Sequence, residues 1–514
     1  MTSPPPTVEA PRRDAPALKR FRLPLLLLLF FAALLLSHLT LLGLPYYWDE
    51  AGYFIPAARD IYADGSLIPH STLSNAHPPL VMAFIAMAWK LFGFHIEVAR
   101  GAMLFVSAAA LLGVFRLSER VSNWRIAAAT VLCTALYPVF FAQSSLAHLD
   151  MGVTALVVWG LAFYLPAREG ENEKLRRAVA VLLFALAALA KETAVLVPLA
   201  LVGWEVVCLL ARRKEKLAKV ICLDGRRRGV VWSVALLAAC VTLALWFAYH
   251  RARTGYTLGN PEYFRYNVES TLDAGRVLGT LWRRLVHVTA HMNLWALTLP
   301  TLLAMLLPAR RDGAEERPRI DVAVQLTFAV LVVAHVVALS VVGGAVLARY
   351  MLPVLPLVVL VCVSTLWRRV RYWPLVVALV CAAFVYRAEV NPPQSFPWEE
   401  NLAYRDFVLL HRDAARFIEG QYPRARVLTT WPASDELRNP YYGYTQRPLS
   451  VVAVENFLKP SLEAAARRRD EYDVALLFTT HGGLPLEEAA RTLGARVVFQ
   501  EEREGQWVAV VEKQ

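Results

Sequence analysis

Residues 23–50 read LPLLLLLFFAALLLSHLTLLGLPYYWDE: an apolar run from Leu23 to Leu44 that stops at an aromatic triplet and two adjacent acids, Asp49 and Glu50. A run of that length crosses a bilayer as a helix. A cleavable signal peptide has a shorter apolar core and small residues at its cleavage site, so this segment reads as an uncleaved signal anchor. Composition extends the reading to the whole chain, because 514 residues that are 57% hydrophobic and 19% charged suit a membrane protein and exclude disorder, a coiled coil or a disulfide-rich module. The net charge of +12 comes in short basic bursts between apolar runs, which argues against nucleic acid as a partner. Fourteen Trp and nineteen Tyr fit many membrane–water boundaries.

Further apolar runs long enough to cross lie near 98–115, 126–142, 146–166, 177–190, 193–211, 229–249, 285–308, 322–342, 345–366 and 373–386. Basic clusters alternate with them, at Arg116 to Arg125, Lys174 to Arg177, Arg212 to Arg228, Arg310 to Arg319 and Arg368 to Arg371. The positive-inside rule places these loops in the cytoplasm together with the N-terminal tail. The run Pro78–Phe94 would invert every later loop if it crossed, so it is expected to lie in the outer interface. Eleven crossings result, and the C-terminus falls on the external side.

Beyond Ala388 the pattern changes to short β-rich pieces (ARVLTT, YDVALLFTT, ARVVFQ, QWVAVVEK) alternating with helical ones (PSLEAAARRR, PLEEAARTLG). The expected architecture is an all-α polytopic membrane domain over residues 23–387, with an interfacial helix and external loops at 45–99 and 251–284. A basic, disordered cytoplasmic tail (1–22) precedes it and a small extracytoplasmic α/β domain (388–514) follows. Five cysteines lie in apolar runs and Cys222 in a basic loop, none at metal-ligand spacing.

Chemistry-bearing residues gather on the external side. Asp49 and Glu50 follow the first span directly; they are either an ordinary interfacial acidic pair or a general base placed beside a lipid-borne substrate. His77 precedes a Pro-Pro pair and can bind phosphate, ligate a metal or cap a turn. Asp150, in SSLAHLDMG, stands at the outer start of a span, as a catalytic acid or a helix N-cap. Lys191, Arg349 and Tyr350 lie at the same boundary, and the 251–284 loop adds Arg265 among other arginines. Cations there run against the positive-inside bias, so they either snorkel to headgroups or hold an anionic partner, phosphate being the natural candidate. His287 and His291, at i and i+4, can share a metal but lack a third ligand in the sequence. His38, His335 and Glu205 lie within spans and receive no role.

Taken together, WDEAGYF, HPPL, KLFGFHIEVAR, SSLAHLDMG, ALAKETAVLVPL and ARYMLPVLPL resemble, in order across residues 20–365, the GT-C glycosyltransferase superfamily, and within it the branch of bacterial protein O-mannosyltransferases and lipid A aminoarabinose transferases. The resemblance implies inverting transfer of one sugar from a polyprenyl-phosphate donor to a lipid, protein or glycan acceptor, in a bacterial-type cytoplasmic membrane. It implies Asp49 as base, with Glu50 second and Asp150 matching the second-loop acid. His77, Lys191, Arg349, Tyr350 and Arg265 are then the groups expected around the donor phosphate. No cofactor is demanded, and a divalent metal is compatible. A transporter or lipid flippase is the alternative from another class; it predicts internal repeats and a polar constellation at mid-membrane, whereas no repeat is evident here and the polar constellation gathers at one boundary.

Overall fold

The computed structural model describes residues 16–211, 213–223, 230–261, 264, 273–342, 344–392 and 397–513. The tail before residue 16 and Arg265 lie outside the described residues. Each apolar run becomes helix: Pro16–Ser37, Ile96–Val121, Trp124–Leu136, Leu149–Tyr164, Glu173–Ala190, Leu196–Ala211, Val230–Leu236 with Ala238–Thr254, Trp295–Ala304, Val322–Val341, Leu355–Arg369 and Trp373–Glu389. By length and composition, four helical stretches among the described residues can cross a membrane: Ile96–Val121, Glu192–Ala211, Val230–Thr254 and Val322–Val341.

The remaining runs are shorter or broken, for local reasons. The first helix ends at Ser37 instead of running to Leu44, and turns carry the chain on through residues 38–43. Pro138 starts a new helix after Tyr137 turns extended, because proline cannot continue the helix behind it. Helix Ala274–Thr289 is separated from Trp295–Ala304 by a kink at Met292 and Asn293, both with left-handed backbone. The run expected in the interface forms helix Leu80–Phe92; at about 1.5 Å per residue it reaches about 20 Å, as does Trp124–Leu136, shorter than a hydrocarbon core of about 30 Å.

Small residues let the central helices approach closely. A Cβ on Gly113 would stand 2.6 Å from Val158 Cγ2, and one on Gly160 would stand 2.7 Å from Phe184 Cε1. Leu25, Leu28, Leu29, Leu36, Val333 and Val337 face outward from their helices, which suits a lipid-facing surface. The basic bursts around Arg120 and Arg176 meet at one end of their helices, where the two arginines share Glu171 at 2.7 and 3.3 Å. The candidate site lies at the opposite end.

A two-residue hairpin, β1 (Arg311–Asp312) with β2 (Glu315–Glu316), lies among the basic loops. The C-terminal part is an α/β unit whose five strands are β3 (Arg426–Thr429), β4 (Ser450–Ala453), β5 (Val474–Phe478), β6 (Ala495–Arg503) and β7 (Gln506–Lys513). Their order is β4-β3-β5-β7-β6, with β4, β3 and β5 parallel and β7 antiparallel to both neighbours. β5 is buried along its whole length, as its unbroken VALLF predicts, whereas β6 alternates. β4 and the long helix Ala403–Gln421 were not anticipated from the sequence.

This unit is hydrogen-bonded to the end of the helical domain that carries Asp49. The Tyr46 N–H donates to Tyr442 O at 3.0 Å, and the Tyr444 hydroxyl donates to Tyr46 O at 3.1 Å. Gly443 makes this join possible: its φ is +95°, and a Cβ there would stand 2.8 Å from Ile96 Cδ1. Gly443→Ala should therefore destabilise the protein by about 1–3 kcal/mol. Gly505→Ala, also at positive φ but facing open space, should lose only the conformational part. Thermal unfolding of the detergent-solubilised variants measures the difference.

Candidate active site

The loop after the first helix splits its two acids. Trp48 takes a left-handed conformation (φ 42°), and Glu50–Phe54 form a π-helical turn, so Asp49 and Glu50 point into different surroundings. Glu50 is fully buried. Its Oε1 accepts from Arg100 Nη1 at 2.7 Å and the Ala147 N–H at 2.6 Å; its Oε2 accepts from Arg100 Nη2 at 2.9 Å and the Tyr47 N–H at 2.8 Å. Arg100 spends further hydrogens on the carbonyls of Ser145 and Pro45, each at 3.1 Å. Four donors fill the lone-pair directions of a carboxylate, so Glu50 belongs to the scaffold. The second place as base expected for Glu50 finds no free lone pair on this carboxylate.

Asp49 remains 35% exposed at its side chain and pairs with Arg349 Nη2. Arg349, only 3% exposed, also lies 3.4 Å from Asp150 Oδ2 and 3.0 Å from Glu399 Oε1. Asp150 is in the first turn of helix Leu149–Tyr164, and its Oδ1 accepts from Lys191 Nζ at 2.8 Å. It makes an ion pair there, in place of the N-cap the sequence also allowed. Lys191 Nζ stands 3.8 Å from the Tyr350 ring centroid, a cation–π contact that helps fix the ammonium. His148 Nδ1 is 2.7 Å from both Gln143 Oε1 and Arg349 Nη1; it can donate to the first or accept from the second, not both. Gln143 Nε2 in turn donates to the backbone carbonyl of Glu399 at 2.9 Å.

The structure thus brings together Asp49, Asp150, Lys191, Arg349 and Tyr350 from widely separated segments. His77 stands apart in its own pair, its Nδ1 2.9 Å from Glu192 Oε2, with Phe54 between it and His148. His38 is hydrogen-bonded to the carbonyls of Leu34 and Phe141, and His335 to that of Tyr350. Glu205 accepts from the Tyr164 hydroxyl at 2.6 Å.

Sequence reasoning missed Glu399, and a signal for it exists: PWEE at 397–400 repeats the YYWDE signature, an aromatic followed by two acids just past the end of a span. Aromatic side chains unite the two segments, since Trp48 meets Trp398, Phe407 and Trp431 at centroid distances of 6.3, 5.7 and 4.8 Å.

Charge decides the state of Glu399. Two carboxylates, Asp49 and Asp150, already oppose the two cations Lys191 and Arg349. Burial pushes the Glu399 carboxyl up; Arg349 pulls it back, and Asp49, Glu400 and Asp150 push it further, leaving it at about 8. Near neutral pH it therefore carries its proton and can donate a hydrogen bond. Asp49, His148 and Glu399 each offer a ligand atom within 4.8 Å of the others. The Arg349 guanidinium already contacts all three, however, and supplies the positive charge a metal would bring.

The model of the family described as dolichyl-phosphate-mannose-protein mannosyltransferase matches residues 76–246, a stretch that holds His77, Asp150 and Lys191. Among solved structures the chain is similar to ArnT from Cupriavidus metallidurans in the apo state, with 17% identity and a TM-score of 0.56 over 94% of this chain and 97% of that one. It is similar also to that protein bound to undecaprenyl phosphate, with 15% identity and a TM-score of 0.55 over 96% and 98%. At such identity the likeness is one of fold. No curated protein sequence matches the chain. The family model thus falls within the 20–365 stretch that carries the motif resemblance, and the likeness of fold covers nearly the whole chain.

Two outcomes follow for the site. Arg100→Met leaves the Glu50 charge buried and unpaired and should cost about 3–5 kcal/mol in detergent unfolding, whereas Glu50→Gln and Arg100→Met combined in one chain should cost less than the sum of the two single substitutions. For Glu399 the folded state holds a proton that the unfolded chain releases near the ordinary glutamate range. Stability should therefore fall as pH rises between about 4.5 and about 8, and Glu399→Gln should abolish that slope. Melting temperatures across this window for both proteins check the sign.

Proposed function

We propose that this chain is a membrane-embedded inverting glycosyltransferase that moves one sugar from a polyprenyl-phosphate donor to the hydroxyl of a lipid, protein or glycan acceptor. The reaction is placed on the external face of a bacterial-type cytoplasmic membrane, with the N-terminus cytoplasmic, eleven crossings, and the C-terminal unit outside with the site. The carrying observation is the cluster itself: one partly exposed carboxylate, Asp49, pairs with the buried Arg349, and Asp150 lies against both Arg349 and the buried Lys191.

Each group has a chemical task in this reading. Asp49 takes the proton of the acceptor hydroxyl as it attacks the anomeric carbon from the face opposite the leaving phosphate. The bond to phosphate breaks with its electrons on oxygen, so no general acid is required if cations stabilise the developing charge. Lys191 and Arg349 are those cations, held charged and in place by Asp150 and Asp49 until the donor arrives. Tyr350 positions the Lys191 ammonium, and His77 steadies Glu192 next to it. Arg265, on the external loop, is a further donor-phosphate ligand. The undecaprenyl phosphate bound by ArnT supports a lipid-phosphate donor, whose tail would stay among the helices while the sugar enters the cluster.

Transport or lipid flipping is not favoured. Those activities place polar groups midway along broken helices in paired repeats, whereas these charges gather at helix ends beside the C-terminal unit.

Asp49→Asn keeps the shape and removes the base. Transfer of labelled sugar from a polyprenyl-phosphate donor to an envelope extract by the purified protein in lipid should drop roughly 10²–10⁴-fold, with donor binding retained. Equal transfer by both proteins would remove Asp49 from the mechanism. Lys191→Met should weaken donor binding as well as transfer, because it removes a phosphate partner and strands Asp150.

A further inference from the structure

Outside this cluster, the histidine pair of the sequence acquires the third ligand it lacked. His287 sits in the last turn of helix Ala274–Thr289, and His291 opens the kink at Met292 and Asn293. The kink sets the two imidazoles against each other, ring centroids 4.9 Å apart. It also brings His291 Nε2 to 2.6 Å from Glu400 Oε2, a residue 109 positions away. One ligand atom from each of the three side chains lies within 4.8 Å of the others.

Three details mark these groups as more than a hydrogen-bonded pair. His287 is only 8% exposed, and its Nδ1 has no hydrogen-bond partner among the described residues. A buried ring nitrogen without a partner calls for an occupant. The other oxygen of Glu400, Oε1, accepts the Ala348 N–H at 2.8 Å, which fixes the carboxylate and turns Oε2 toward the histidines. No guanidinium or ammonium is paired with this carboxylate among the described residues, in contrast to the Asp49 cluster.

We propose that His287, His291 and Glu400 bind a divalent transition metal, and that the ion pins the segment carrying Glu399 to the helical domain. Two imidazoles and one carboxylate match zinc, whereas calcium and magnesium select all-oxygen sets. With Zn–N and Zn–O bonds of about 2.0–2.2 Å, tetrahedral ligand atoms stand about 3.3 Å apart, so the side chains need shift only by about an ångström. The fourth position is left to water. The ion holds Glu400, whose neighbour Glu399 reaches Arg349, and Glu400 itself binds the residue before Arg349. The assignment does not depend on the proposed transfer reaction, and its test needs no sugar donor.

The full-length protein, purified in detergent without chelator or added metal, is assayed for bound zinc; after stripping with chelator it is titrated with zinc and, separately, with cobalt. The wild type should hold about one zinc per chain. Its cobalt form should show the intense visible bands of a low-coordinate site, and zinc should raise its melting temperature. His287→Gln and His291→Gln should each lower zinc affinity at least about tenfold and lose the cobalt bands, while Asp49→Asn keeps both. The stripped variants should melt with the stripped wild type, which separates lost binding from lost folding. Wild-type protein that takes up no zinc, or zinc that survives both histidine substitutions and leaves with Asp49→Asn, would overturn the assignment.

Discussion

Burying the Arg349 guanidinium is the constraint around which the rest of this structure is arranged. An uncompensated charge in that position costs several kcal/mol, so partners must be delivered from wherever the chain can supply them. They come from the start of the π-helical turn that follows the first helix (Asp49), the start of another helix (His148 and Asp150) and the segment beyond the last apolar helix (Glu399). Each is at a helix terminus, the natural place for charge in a chain whose helix interiors are apolar. Lys191 then balances Asp150, and burial, helped by the neighbouring carboxylates, holds the Glu399 carboxyl above the usual glutamate range against the pull of Arg349.

The same compensation ties the C-terminal unit to the helical one. Trp398, Phe407 and Trp431 close over Trp48, and a Cβ on Gly52 would stand 2.9 Å from the Trp431 ring. Aromatic packing excludes water from one side of the Asp49 loop, which strengthens every ion pair beneath it. The Glu50–Arg100 pair braces the loop from the other side, through backbone carbonyls at Pro45 and Ser145. Asp49 is thus held on a short, left-handed turn between two rigid walls while keeping partial access to solvent.

Much of this was legible in the sequence. Apolar runs located the helices because burial in lipid or protein demands continuous hydrophobicity, and β-rich composition located four of the five strands of the C-terminal sheet. β4 escaped because SVVA is too short to show a period, and the breaks near residues 137 and 292 escaped because hydropathy averages over them. The outer charged residues drew notice by standing where a membrane boundary makes charge costly. Their pairings did not: which acid meets which base depends on packing across more than a hundred residues, as with His291 and Glu400. Arg100 stayed hidden for the same reason, sitting within an apolar helix with its partner fifty residues back.

Three charged doublets share one feature: in each, adjacent side chains serve different neighbourhoods. Asp49 joins Arg349 while Glu50 braces Arg100; Lys191 joins Asp150 while Glu192 holds His77; Glu399 meets Arg349 while Glu400 meets His291. For Glu192 and for Glu399 with Glu400 the local backbone is a single 3₁₀ turn, where successive residues diverge by about 120°. Aligning homologues across such a doublet is treacherous, since sliding by one position preserves the acidic match at Asp49–Glu50 or Glu399–Glu400 while exchanging a residue that faces Arg349 for one that faces elsewhere. Residue roles in distant relatives of this chain are better transferred by superposing the turn than by matching the letters.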